Sequence, residues 1–429
     1  MQGSAAVPAV RRGFKLQVSR TSRSLFSMIN RGLSLPVMPT RIIWHESMLE
    51  YNFGHGHPMS PLRLDLTARL ARELGIFDLP GVSLGEPFIA SDAELGTVHG
   101  SEYIAGVRSI SADPGATSEK FGLGTEDNPA FAGMHDASAR LVGGSLAAAD
   151  AVLSGDVLHA VNFGGGMHHA AAERAAGFCI YNDAAAAIAR LLAGGVGKVL
   201  YIDVDAHHGD GTQSIFWNDP RVMTISLHET GLTLFPGTGF ANETGGPGAE
   251  GTAVNVALPA KTGDAGWLRA FHAVVPQLAE AFAPDVIVSQ HGCDSHTDDP
   301  LTNLRLSVDA QRQAALTIAD LAATLCGGRW IATGGGGYNV VSVVPRSWSL
   351  LMSVAANGRI RGNTPVPEPW RDYVRERYGE DSPPLMGDGV ELWWRSWEVG
   401  YDPNDEIDRT VMATRKEVFP LHGLDPWFD

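Results

Sequence analysis

The stretch Tyr-Ile-Asp-Val-Asp-Ala-His-His-Gly-Asp-Gly at 201–211 sets three carboxylates and two imidazoles directly after an apolar run. Side chains alternate across an extended strand. If the strand continues, Asp203, Asp205 and His207 share one side and His208 faces the other. Asp205 and His207 are then placed to hold one metal ion, with Asp203 behind them. A catalytic transition metal needs a third protein ligand and an open position for water. Asp294, in Gly-Cys-Asp-Ser-His at 292–296, ends another apolar run and is the candidate. An oxygen-rich Asp–His–Asp set accepts Zn²⁺ and Fe²⁺ alike.

Two further clusters supply what a metal lacks. Gly-Gly-Gly-Met-His-His at 164–169 presents tandem histidines, His168 and His169. A histidine acting as base must be oriented through its other nitrogen, and Asp203 and Asp210 are the spare carboxylates of the neighbouring stretch. Tyr338 follows four glycines, a pattern that reads as a flexible turn. Its hydroxyl is suited to a developing oxyanion. Singly, each residue has a plainer explanation: a capping Asp, a satisfied core His, a surface-loop Tyr. Together they suit amide hydrolysis, in which a metal acidifies water, a histidine takes its proton, and tyrosine plus metal stabilise the tetrahedral oxyanion.

The elements that must carry these groups are short β-branched runs ending in glycine or polar clusters: 157–163, 198–205, 222–228, 285–292 and 329–337. Continuous apolar runs of this length suit strands buried on both faces. Helix-like stretches at 136–153, 183–194, 266–283 and 309–325 alternate with them. The alternation predicts an α/β fold, a doubly wound, mainly parallel sheet with helices on both faces, in a single large domain. In such sheets ligands bind beyond the carboxyl ends of the strands, where all the unusual residues fall.

The expected organisation is a basic N-terminal tail over 1–38, disordered or extra to the fold, a catalytic domain over 39–363, and a C-terminal extension over 364–429 packed on it. The tail holds six Lys and Arg and no Asp or Glu, a composition akin to a transit peptide, but no Ala-x-Ala cleavage site follows an apolar core. The formal net charge of −16 argues against a general nucleic-acid or anionic-membrane binder. Three scattered cysteines, Cys179, Cys293 and Cys326, are no disulfide framework and fit a reducing cytoplasm. No run of about 18 apolar residues predicts a membrane span.

With these motifs in view, the chain resembles the histone deacetylase family, of the arginase/deacetylase fold. Within it the likeness is to the bacterial acetoin-utilisation deacetylases, which are class I-like. The resemblance runs from roughly residue 41 to 351 and is carried by HPMSPLRL, VHGSEYI, GTEDNPAF, GGGMHHA, GFCIYND, DVDAHHGDGT, LFPGTG, GCDSHTDDPL and GGGGYN. It implies that Asp205, His207 and Asp294 bind a catalytic Zn²⁺. It implies that His169 is the general base paired with Asp210, and His168 the electrostatic partner paired with Asp203. Tyr338 matches the oxyanion tyrosine, Asp127 the rim acid that holds the substrate backbone, and Phe178 and Phe235 the walls of an acyl-lysine tunnel. Gly177 lets the tunnel backbone approach the substrate, and Arg63 matches the arginine of an internal acetate-release cavity. A structural K⁺ beside the metal, held by Asp203, Asp205, His207 and carbonyls near Ser226 and Leu227, is also implied. So is an acetylated protein substrate, with acetyl-CoA synthetase suggested by the association with acetoin use.

Asp210 is the class I-like choice. Met167 departs from the Trp usual in eukaryotic class I members, which suggests a tunnel entrance adapted to a different acyl group. A deacetylase of small acetylated polyamines is the main alternative. It would want an acidic gate at the rim, where Leu301 is apolar, unless Glu126 or Asp298 serves. A two-Mn²⁺ ureohydrolase would want an Asp-x-Asp pair that GCDSHTDDP lacks. A non-catalytic acetyl-group sensor does not need the full set of ligands, bases and tyrosine.

Overall fold

The computed structural model describes residues 37–429. The sequence expectation of a disordered tail therefore falls, apart from Val37 and Met38, outside the described residues. Eight strands form one sheet: β1 Thr40–Ile43, β2 Val82–Gly85, β3 His159–Asn162, β4 Val199–Asp203, β5 Val222–Glu229, β6 Ala253–Leu258, β7 Val286–Gln290 and β8 Trp330–Thr333. The spatial order is β2-β1-β3-β8-β7-β4-β5-β6, and every neighbouring pair is parallel. Every residue of β3, β4, β5, β7 and β8 is buried, which is why they read as unbroken apolar runs rather than alternating ones. β1, β2 and β6 carried no usable sequence signal. The first two are four residues each, and β6 buries the polar Asn255 in mid-strand.

Parallel strands need crossover connections, and helices supply them. We label α1 Leu62–Glu73, α2 Asp92–Leu95, α3 Ser101–Ala112, α4 Met134–Leu153, α5 Asp183–Ala193, α6 Asp210–Ile215, α7 Asp264–Phe282, α8 Val308–Leu325, α9 Val344–Ala355, α10 Glu368–Tyr378 and α11 Glu406–Val418. Helices α3, α4 and α5 pack together as one group, while α1, α9, α8, α7 and α11 form a second, continuous layer. α5 is Ala-rich, starts at the Asn182 side-chain cap and buries nearly its whole first half, which lets it lie close to α4. Among the described residues no helix is long and apolar enough to cross a membrane.

Residues 37–429 form one compact unit. Past residue 363, the Trp370 indole donates to the Leu66 carbonyl on α1 (3.0 Å), and the Thr414 hydroxyl on α11 donates to the Asn255 carbonyl of β6 (2.6 Å). α11 thus covers the outer edge of the sheet, where unpaired backbone would otherwise be open to another chain. A buried charge pair fixes it. The Arg269 guanidinium of α7 makes a two-pronged bond to Asp408 of α11 and reaches the carbonyls of Arg395, Ser396 and Gly400. Asp408 is fully buried and also accepts from Arg395 (2.6 Å). Removing one partner strands the other charge without water. Asp408→Ala is therefore expected to cost about 3–5 kcal/mol, measured as a lowered chemical-denaturation midpoint with an unchanged slope.

Candidate active site

The carboxyl ends of β3, β8, β7 and β4 lie side by side, and each feeds a loop bearing the chemistry. β4 stops at Asp203 rather than running on through His207. Two Asp-turns take over: the Asp205 amide donates to Asp203 Oδ1 (3.2 Å), and the His207 amide to Asp205 Oδ1 (2.9 Å). The grouping expected from strand alternation thus arises from side chains bonding to backbone two residues on. His208 does point elsewhere, to Thr238 and Gln213.

His207 Nδ1 lies 3.1 Å from Asp205 Oδ1 and 3.0 Å from Asp294 Oδ2. The three donor atoms fall within 4.8 Å of one another in a buried setting. The remaining carboxylate lone pairs are occupied elsewhere. Gln290 Nε2 (2.7 Å) and the Gly336 amide (2.8 Å) bond Asp205 Oδ2, and the Ala206 amide bonds Asp294 Oδ1 (2.8 Å). Asp294 Oδ2, His207 Nδ1 and Asp205 Oδ1, whose second lone pair is free beside its bond from the His207 amide, converge. Burial and the neighbouring Asp205 charge push the Asp294 carboxyl up to about 7. For His207, burial opposes the charged form but is outweighed by Asp205 and Asp294, which hold its pKa well above the usual range. Two buried carboxylates that cannot share ionisation comfortably, beside an imidazole, are the donor chemistry a divalent cation satisfies.

Beside this triad, His168 Nδ1 donates to Asp203 Oδ2 (2.8 Å) and His169 Nδ1 to Asp210 Oδ1 (2.7 Å). The two Nε2 atoms are 3.1 Å apart, and the surroundings of the two rings differ. Burial pulls His168 down, but the charges of Asp203 and Asp205 outweigh it and raise its pKa to about 9. Burial and the adjacent His168 charge pull His169 down to about 4 despite Asp210. These opposite shifts favour His169 as the free base and His168 as the cation.

Tyr338 stands edge-on to Phe178, within reach of the ligand charges. Burial first, then the Asp294 and Asp205 charges, hold its phenol well above the ordinary range, so it stays a hydroxyl donor. The four glycines before it, expected as a flexible turn, are buried and closely packed. A side chain on Gly336 would strike the Asp294 and Asp205 carboxylates, and one on Gly337 the Cys293 sulfur. Absence of side chains, rather than freedom of motion, is what the segment requires.

Phe178 and Phe235 stand over the centre. The Phe178 ring lies edge-on to Tyr338 (5.8 Å), and Phe235 to His169 (5.0 Å) and His207 (6.4 Å). Gly177 has φ +53°, and any side chain there would enter the His169 ring. Asp127 Oδ2 accepts from the Gly177 amide (2.7 Å) and from Asn128 (3.0 Å), so one oxygen of this rim acid is committed to the wall. Leu301 is 37% exposed. Arg63 is buried and donates to the carbonyls of Gly335 (2.9 Å) and Gly337 (3.2 Å), with its guanidinium over the Trp348 ring. Met167 is only 3% exposed and its amide bonds Asp183. It fills the interior, not a tunnel entrance as its sequence position suggested.

Several working residues escaped the sequence reading. Tyr201 donates to Asp203 Oδ2 (2.8 Å). Asp183 accepts from Ser145, Gly166 and Met167 and so holds the loop before the histidines. His57 packs edge-on to Phe178 (4.6 Å). Gln290 closes β7 and falls among the polar residues at the strand ends, but nothing in its sequence position singles it out as the donor to Asp205.

Comparison with known proteins defines the class. The Histone deacetylase domain model matches residues 57–355. The chain is 46% identical over 309 residues to the acetoin utilization protein AcuC of Bacillus subtilis (strain 168), covering 72% of this chain and 79% of that one. It is 40% identical over 397 residues to the acetoin utilization protein AcuC of Staphylococcus aureus (strain MSSA476), covering 91% and 97%. A crystal structure of an HDAC homolog complexed with SAHA superposes with a TM-score of 0.75 at 26% identity, covering 87% of this chain and 99% of that one. The chain belongs to the histone deacetylase family, whose members are metal-dependent deacetylases. Its relatives place it with the bacterial acetoin-utilisation branch.

Groups that orient metal ligands matter nearly as much as the ligands. Gln290→Ala is expected to weaken divalent-metal affinity about 10–100-fold with the fold intact, read by competition against a chelator. His207→Ala should abolish stoichiometric binding in the same assay.

Proposed function

We propose that the chain hydrolyses the acetyl amide of N6-acetyl-lysine in proteins, releasing acetate and free lysine. The observation that carries this reading is the tandem pair His168 and His169, each bonded to its own carboxylate with their Nε2 atoms 3.1 Å apart, beside the convergent donors of Asp205, His207 and Asp294. The metal is proposed to be Zn²⁺, with Fe²⁺ compatible with the same donors, held by Asp205, His207 and Asp294. A structural K⁺ is proposed beside it at Asp203, Asp205, His207 and the Ser226 and Leu227 carbonyls. A bound divalent ion supplies Lewis acidity and lowers the pKa of water.

The chain's own residues do the rest. His169, neutral and aligned by Asp210, accepts the proton of the attacking water at Nε2. Charged His168, anchored by Asp203, stabilises negative charge as it builds, and His169 then carries its proton toward the leaving amine. Tyr338 donates its hydroxyl to the oxygen of the former carbonyl. Phe178 and Phe235 suit a long methylene stem and keep bulk water from the reacting amide. The proposed protein substrate is acetylated acetyl-CoA synthetase, in the cytoplasm; the acetoin-utilisation relatives support this choice.

The direct test is turnover of an acetyl-lysine peptide and an acetylated polyamine, side by side, by metal-free and Zn²⁺-reconstituted protein. Metal-dependent peptide turnover is the expected result. A preference for the polyamine would shift the substrate class and leave the catalytic groups in place. No turnover of either by metal-loaded protein would sink the reading. Tyr338→Phe should lower kcat about 10²–10³-fold while metal content holds at the wild-type level.

A further inference from the structure

We infer that Asp299 is a positioning residue for the oxyanion donor. Its carboxylate, on the loop after β7, fixes the main chain of Tyr338 and ties it to the rim segment at Leu301. The inference rests on the role given to Tyr338 above. Asp299 is 7% exposed, whereas the side chain of its neighbour Asp298 is 66% exposed. A carboxylate withdrawn from water must be satisfied. Asp299 Oδ2 accepts from the Tyr338 amide (2.8 Å), and Oδ1 from the Leu301 amide (3.0 Å). One side chain thus spans the loop after β7 and the loop after β8.

The need for such an anchor follows from what precedes Tyr338. The four glycines pack too tightly to carry side chains that could lock the chain, and Gly337 sits at φ +144°, where few other residues are comfortable. The Gly336 carbonyl is held by the Cys293 amide (2.7 Å) and the Gly337 carbonyl by Arg63 (3.2 Å), so the peptide that enters Tyr338 is gripped at its oxygen by Arg63 and at its N–H by Asp299. The phenol ring itself is placed by packing against Phe178, with the Arg63 guanidinium 5.9 Å from its centre. Packing of that kind tolerates sliding. A displacement of about 1 Å at a catalytic group costs on the order of 10²-fold in rate. The Asp299 bond to the Tyr338 amide is a directional constraint at the point where the four-glycine segment ends. The loop that offers it also carries Asp294, so ligand and tyrosine are set from one segment.

The test compares Asp299→Ala and Asp299→Asn in wild-type and Tyr338→Phe backgrounds, using Zn²⁺-reconstituted protein and an acetyl-lysine peptide. Asp299→Ala removes both acceptors. Asp299→Asn keeps the size but sets an NH₂ against one amide, and serves where the alanine variant does not fold. The expected result is a kcat lowered about 10–100-fold with KM within about twofold and metal content unchanged. In the Tyr338→Phe background the further loss should be under about threefold, since the group being positioned is already gone. Equal losses in both backgrounds, or a loss carried by KM, would overturn the inference. A second readout needs no substrate. With the tyrosines replaced by 3-fluorotyrosine, the ¹⁹F line of Tyr338, assigned by its disappearance in Tyr338→Phe, should shift or broaden in the Asp299 variants. An unmoved line overturns the positioning role. Absent turnover by the wild type alongside a shifted line would count against the deacetylase reading alone.

Discussion

The Asp205 carboxylate is the point on which the rest of the site depends. It is fully buried, and strands β4, β7 and β8 each send it a donor: the His207 amide, the Gln290 side chain and the Gly336 amide. A negative charge placed this deep is tolerable only if every lone pair is spoken for. That requirement explains features that look unrelated in the sequence. Gly292 leaves no room for a side chain because Asp205 occupies the space, and Gly336 because Asp294 does, with Asp205 just behind it. Gln290 ends β7 because an amide donor is needed where an apolar residue would have served the strand. The parallel sheet brings these groups together without strain, since adjacent strands deliver their carboxyl ends to one rim.

The same charge decides the chemistry of the histidines. His168 Nε2 is 3.9 Å from Asp205 Oδ1, and its Nδ1 is bonded to Asp203, so two carboxylates act on one ring. His169 has only Asp210 and must also face the His168 cation. Identical side chains, adjacent in sequence, are driven to opposite protonation states by which strand end each one faces. Environments that push two titratable groups apart assign acid and base roles. Burial alone would have left both neutral, and the surplus of acids around His168 breaks the symmetry.

The sequence was most informative where chemistry and strand ends coincide. Asp205, His207, Asp294, His168, His169 and Tyr338 were all legible because polar residues after apolar runs have no packing reason to be there. The parallel sheet followed from the same runs. Less legible was how the backbone delivers them. Alternation along β4 gave the right grouping for the wrong reason, since the chain leaves the strand at Asp203 and Asp-turns complete the arrangement. Glycines before Tyr338 suggested freedom where the structure has crowding. Met167 suggested an entrance where it fills the interior. Supporting groups such as Asp183, Tyr201 and Gln290 were silent because a polar residue inside a strand or at a helix start has ordinary explanations. Their partners lie far away in sequence and near only in the fold.

The walls of the slot raise a separate energetic point. Phe178 has φ +66°, a conformation that costs a bulky residue on the order of 1–3 kcal/mol. Such a conformation persists only where its surroundings over-determine it. Here they do. The Tyr51 hydroxyl donates to the Phe178 carbonyl (2.6 Å), Asp127 takes the Gly177 amide, and His57 and Tyr338 clamp the ring from two sides. On the facing wall, buried Glu229 bonds the Asn303 amide and side chain and the Thr233 hydroxyl. It joins the segment leading to Phe235 to the one following Leu301. Each wall is thus a loop, yet each is tied down by a buried or half-buried acid. Loops that carry rings beside buried titratable groups need such ties to hold one geometry. The carboxylates at the walls and those at the centre therefore do the same thing: each fixes a loop by accepting from backbone amides of a segment distant in sequence.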